Sequence, residues 1–175
     1  MSTPAAPLAP AEVAARLEAA MTSLRAELGG LPDRVAGWHP AAGEWCAKEV
    51  VGHIIEAERR GFAGRIRIIL GADNPELQAW DQNEVARARR DCERPIAALL
   101  DELAGLRRES VALVRVLRAP ELARVGRHPK VGRLPVGELL QEWMHHDRNH
   151  IRQALANVQA YVWPAMGNTQ KFSGD

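Results

Sequence analysis

The sequence predicts an all-α protein, an up-down-down-up four-helix bundle with a long crossover between its second and third helices. Three observations predict it. Four long segments carry apolar residues at helical spacing without an internal proline. The connections between them are unequal, as a crossover requires. Alanine, leucine and arginine dominate, aromatics are 5% of residues, and the alternation of half-buried strands is missing. The expected organisation is a disordered lead-in over 1–9, a four-helix bundle over 10–161, and a tail over 162–175 that packs on the bundle or on a dimer partner.

The first helix runs from about Pro10 to Leu28. Pro10 suits a helix start, Val13, Leu17, Met21, Leu24 and Leu28 share one face, and Gly29-Gly30 stops it. The second runs from about Ala47 to Leu70, with Val50, Ile54, Ala57, Gly61 and Ile68 to one side, and ends at Gly71. Asn74, Pro75 and Trp80 mark the crossover, with a short helix near Asn83 to Arg90. The third runs from about Pro95 to Arg118, carrying Ile96, Leu99, Leu103, Leu106, Leu113 and Leu117, and ends before Pro120. A basic loop (Arg124, Arg127, His128, Lys130, Arg133) leads to the fourth, from near Pro135 to about Tyr161. Beyond it, Trp163, Met166 and Phe172 are too apolar for a merely solvated tail.

Lysine plus arginine number 23 against 22 acids, a formal charge of +1. That leaves no basic excess to displace counterions from nucleic acid. No apolar run approaches transmembrane length, and MSTPAAPLAPAE lacks the basic-then-apolar order of a secretory signal. Cys46 and Cys92, the only cysteines, form no CxxC or zinc-ribbon spacing and read as free thiols. A cytoplasmic protein that engages neither nucleic acid nor membrane is expected.

The stretch HHDRNHIRQ, His145 to Gln153, places His146 and His150 four residues apart inside the fourth helix. That spacing sets both imidazoles on one face, about 40° apart, a common way to hold a transition metal. It is not the HExxH of zinc peptidases. Asp147 stands where that motif has its glutamate, and no histidine or glutamate follows His150, so a third ligand must come from upstream. His39 and His128 precede Pro40 and Pro129 and read as loop residues. His145 points about 100° away from His146, toward Arg148 and Arg152. His53, at the edge of the buried face of the second helix, is the remaining candidate. One metal on His53, His146 and His150 accounts for three polar side chains that would otherwise each need a buried partner.

The run Glu44-Trp45-Cys46-Ala47-Lys48-Glu49-Val50-Val51-Gly52-His53 resembles the second helix of the DinB-like superfamily, which includes the YfiT proteins and mycothiol-dependent maleylpyruvate isomerases. HHDRNHIRQ resembles that family's last helix, and the likeness in spacing extends from the first helix to Tyr161. The resemblance implies a four-helix bundle with a divalent metal on three histidines, here His53, His146 and His150, and a homodimer. Cys46 departs from it, since family members often have serine there, which puts the capping hydrogen bond in question.

Three neutral imidazoles leave coordination positions open, as in catalytic sites. Zinc or nickel there would activate water, or a thiol, at neutral pH. Glu56, one turn after His53, and Glu142, one turn before His146, are the nearest acids and candidate bases or imidazole partners, with Asn149 and Gln153 flanking. The leading expectation is transfer of a low-molecular-weight thiol to a small-molecule electrophile, since relatives use mycothiol, bacillithiol or glutathione. The alternatives are a metal-dependent hydrolase and a non-catalytic, stress-associated metal-binding protein. A di-iron carboxylate bundle fits poorly, because Glu142-x-x-His145 is its single Glu-x-x-His.

Overall fold

Proline at the first turn and a glutamate that reaches back start the chain's first element. α1 (Pro10–Leu28) opens with the Glu12 carboxylate accepting the Ala9 N–H at 2.8 Å. A computed structural model describes residues 6–173, so the first five positions of the expected lead-in and the last two of the tail lie outside the described residues. Leu8, within that lead-in, is tied to the bundle: its N–H and C=O both bond the Gln141 side chain at 3.0 Å.

After the short α2 (Asp33–Ala36), the second long helix is built from α3 (Ala47–Glu56), a π-helical turn (Ala57–Phe62) and α4 (Ala63–Gly71). The π turn corrects the expected face. An i→i+5 turn adds a residue to the helix, so every later position rotates onto the next residue's place. Ile68, expected inside, is 50% exposed, and Ile69 is fully buried instead.

The crossover carries α5 (Gln82–Arg89), capped by Asp81, whose carboxylate accepts the N–H groups of Asn83 and Glu84. A 3-10 turn (Asp91–Glu93) follows, and its Asp91 sits directly on the second helix. A Cβ at Gly52 would stand 1.8 Å from Asp91 Oδ2, so only glycine allows this approach. α6 (Ile96–Arg115) and α7 (Ala119–Ala123) come next.

The expected basic loop contains a hairpin that periodicity did not reveal. β1 (Val125–His128) pairs antiparallel with β2 (Gly132–Pro135). Arg127 also exchanges backbone bonds with Pro75 and Leu77, pinning the hairpin to the crossover. α8 (Val136–Val162) closes the bundle, and a 3-10 segment (Trp163–Phe172) follows. Its Trp163 is 42% exposed and its Phe172 91%, so the bundle of a single chain does not cover them.

Cross-links between helices set the directions. Arg25–Asp101 and Arg115–Glu18 make α1 antiparallel to α6. Leu8–Gln141 and Arg148 to the Arg16 carbonyl make α1 parallel to α8. Asn157 to the Trp45 carbonyl, with Phe62 on Trp143, makes α3–α4 antiparallel to α8. The order is therefore up-down-down-up, with α1 and α3 each packed on both α6 and α8.

The interior has two apolar halves. One gathers Leu17, Ile66, Val114 and Trp143; the other gathers Leu28, Ile54, Leu99 and Ala154. Phe62 and Trp143 stack in the first, centroids 5.1 Å apart and rings 9° from parallel, adding about 0.5–1.5 kcal/mol beyond area burial. Between the halves, near the bundle's waist, lie the buried polar groups Glu58, Arg107, Ser110 and Asp147. The histidines of α8 lie at this level.

Candidate metal centre

His53 points from α3, and His146 and His150 from successive turns of α8. Their ring centroids form a near-equilateral triangle with sides of 5.0, 4.4 and 4.4 Å. One ring nitrogen of each lies within 4.8 Å of the others, and the Nε2 atoms of His53 and His146 are 3.0 Å apart. Two imidazole lone pairs do not face each other at that distance without a proton or cation between them. The spacing therefore suits a small cation.

The surroundings keep the donors neutral and aimed. His53 is 7% exposed, with Trp45 at 4.9 Å and Trp80 at 6.0 Å between ring centroids. Burial, then repulsion from His150 and His146, pushes its pKa down to about 3. Burial likewise lowers that of His150. His150 Nδ1 lies 2.9 Å from Gln153 Oε1, so it carries the proton and donates, leaving Nε2 as the free lone pair. Phe62 meets the His146 ring edge-on at 5.1 Å. His146 Nδ1 is buried without a partner, its nearest acid being Asp147 Oδ1 at 4.0 Å, beyond hydrogen-bond reach.

These rings form the floor of an open cavity of about 1370 Å³. Glu142 lies on its wall, while Arg65, Lys130 and Arg133 gather on the hairpin side with His128, whose Nε2 accepts from Arg65 Nη2 at 3.0 Å.

The other expected site residues separate. Glu56 is turned away into an ion-pair cluster with Arg59, Arg60 and Arg89, whose cations hold its carboxyl below the ordinary range against the opposing effect of burial. It is absent from the cavity wall, which corrects its candidacy as a base. His145 is exposed and 2.8 Å from Asn149 Nδ2, so Asn149 is occupied there. Cys46 caps α3 with the Glu49 carboxylate accepting its N–H at 2.9 Å, so that half of the capping box survives without serine.

Sequence reasoning missed the group beneath the centre. Asp147 is fully enclosed, its Oδ2 2.6 Å from Arg107 Nη1. Arg107 Nη2 is also 2.8 Å from Glu58 Oε2, though out of line for a directed hydrogen bond. The signal was present: Arg107 follows Leu103 by four residues on an inward face, where a cation demands an acid. Two carboxylates thus share one guanidinium. Despite burial, Arg107 holds Asp147 below its usual range, whereas burial pushes Glu58 up to about 7.

The sequence profile of the DinB superfamily matches residues 5–154. A protein of Oceanobacillus iheyensis, provisionally named a metal-dependent hydrolase, is 23% identical over 122 residues, 70% of each chain. A protein of Halalkalibacterium halodurans with the same provisional name is 29% identical over 118 residues, covering 66% of this chain and 68% of its own. In structure, the chain is similar to YfiT from Bacillus subtilis, with a TM-score of 0.81, 17% identity, and 93% and 94% of the two chains covered. That protein is described, again provisionally, as a metal-dependent hydrolase with an unusual four-helix bundle topology.

Proposed function

Because the chain belongs to the DinB superfamily and converges three imidazoles on one open cavity, we propose that it is a metal-dependent hydrolase of small molecules, with zinc or nickel on His53, His146 and His150. The observation that carries this reading is the donor set. Three imidazole nitrogens converge, and among the described residues no thiol or carboxylate joins their cluster to close a fourth position. When bound, such an ion supplies a Lewis acid that makes a nucleophile available at neutral pH.

The chain's own residues do the rest. Gln153 holds the His150 ring in the tautomer that leaves Nε2 free, and Trp45, Trp80 and Phe62 keep water from the histidine edges. Glu142, on the cavity wall, accepts the proton released as the nucleophile forms. Lys130 and Arg133 beside Arg65 suit a substrate with an anionic end. The provisional names of the two bacilli's proteins and of YfiT support hydrolysis.

One observation favours a second reading, transfer of a bound bacillithiol, mycothiol or glutathione. The cavity, at about 1370 Å³, exceeds the ~300–1,000 Å³ usual for one small ligand and has room for a thiol beside an electrophile. Metal-loaded protein should hydrolyse small esters or amides. Glu142→Gln should lower kcat by about 10²–10⁴-fold, the range of general acid–base contributions, at unchanged metal content. In cobalt-loaded protein, a sulfur-to-cobalt band in the difference spectrum on adding one of the three thiols would move the assignment to S-transfer. Absence of both turnover and band would leave a metal-binding protein without catalysis. The reading includes a homodimer through the uncovered tail, which a monomeric mass in light scattering would remove.

A further inference from the structure

Both cysteines of the chain end at one place, far from each other in sequence and beside an imidazole and a carboxylate. Cys46 is the N-cap of α3, Glu49 lies in that helix's first turn, His39 comes from the loop before it, and Cys92 from the 3-10 turn of the crossover. Their four ligand atoms all lie within 4.8 Å of one another. His39 Nε2 is 3.6 Å from Cys92 Sγ and 2.9 Å from Glu49 Oε2. We propose that Cys46, Cys92, His39 and Glu49 form a second metal site, a closed structural zinc site separate from the three-imidazole centre.

The distances fit. Zn–S of about 2.3 Å and Zn–N of about 2.0 Å at a tetrahedral angle put sulfur and nitrogen about 3.5 Å apart, close to the 3.6 Å between Cys92 Sγ and His39 Nε2. The donor types fit as well, since paired thiolates with imidazole select zinc. Helix capping explains Glu49 and a His–Glu pair explains His39, but neither explains why the only two thiols converge on them. Two thiolates and a carboxylate around a dication leave one negative charge. The N-terminus of α3 faces it; the Lys48 ammonium, 3.3 Å from the Cys92 carbonyl, is already paired with Asp33 at 3.0 Å.

The two sites would differ in kind. Four protein donors close the second site, whereas the three imidazoles leave the first open. Cys46 and His53 are seven residues apart on one helix, about 10 Å. The second ion would clamp the crossover, through Cys92, and the loop of His39 onto the start of α3.

The test uses full-length protein purified under reducing conditions and loaded with zinc. The wild type should hold two equivalents per chain. Cys92→Ser and, at an exposed position less able to disturb folding, His39→Ala should each lose one, while His146→Ala loses the other. With cobalt and no added thiol, the wild type and His146→Ala should show a sulfur-to-cobalt band that Cys92→Ser lacks. Saturating zinc should also slow alkylation of Cys92. A single equivalent abolished by His146→Ala, no sulfur-to-cobalt band, or a Cys46–Cys92 disulfide in zinc-saturated protein would each overturn the proposal. Each of these outcomes leaves the three-imidazole centre standing, since its own loss is read from whether His146→Ala removes an equivalent.

Discussion

Replacing His146 by alanine should strip one equivalent of metal from the protein and end any metal-dependent turnover, while His145→Ala should change neither. The two residues are neighbours with similar chemistry, and only the helix phase separates them. His146 Nε2 stands 3.0 Å from that of His53; His145 faces solvent and Asn149. Gln153→Ala should give an intermediate result. It removes the acceptor that fixes the His150 tautomer, and losing such a partner costs about 10–100-fold in metal affinity. Metal content by elemental analysis and affinity by chelator competition read all three variants. Equal losses at 145 and 146 would mean that the register of α8 around the centre is wrong.

The histidine centre was legible because its information is local. Two imidazoles four apart on a long apolar-faced helix announce their own geometry, and His53 stood at the edge of the other strongly patterned segment. Helix ends were legible for the same reason at Pro10, Gly29 and Gly71, whereas α6 stops at Arg115 and Pro120 instead opens α7. What escaped depends on contacts between segments. The π turn moves Ile69 inward and Ile68 outward, yet nothing in AERRGF marks an i→i+5 turn. The hairpin of VGRH and GRLP has no apolar alternation, and it is held by backbone bonds to Pro75 and Leu77 across the crossover. Glu56 shares a helix with His53, but three arginines pull its carboxylate to another side. Cys46 and Cys92 lack a spacing motif because their meeting is made by the fold, through the close approach of Asp91 to Gly52.

The second large effect is expected at Arg107, which is buried and not on the cavity wall. Arg107→Met would leave Glu58 and Asp147 buried without a counter-charge. Breaking a buried pair in this way costs about 3–5 kcal/mol. At ~2–4 °C per kcal/mol for a chain of this size, Tm should fall by roughly 10 °C. Arg107→Met combined with Glu58→Leu and Asp147→Leu should recover most of that loss, because apolar replacement of a whole buried ionic group is often neutral or stabilising. The same group sets a pH dependence. Burial raises Glu58 to about 7 from an ordinary value of 4.5, so between those values the folded protein holds a proton that the unfolded chain releases. Its contribution to stability is therefore full at low pH and declines as pH rises from about 4.5 to about 7. Glu58→Gln should remove that slope, so the difference in Tm between variant and wild type should move in the variant's favour across this window. Denaturation at pH 5 and pH 7.5 measures it. A constant difference would show that Arg107 neutralises Glu58 as fully as Asp147, and that the two carboxyls hold no extra proton in the folded protein.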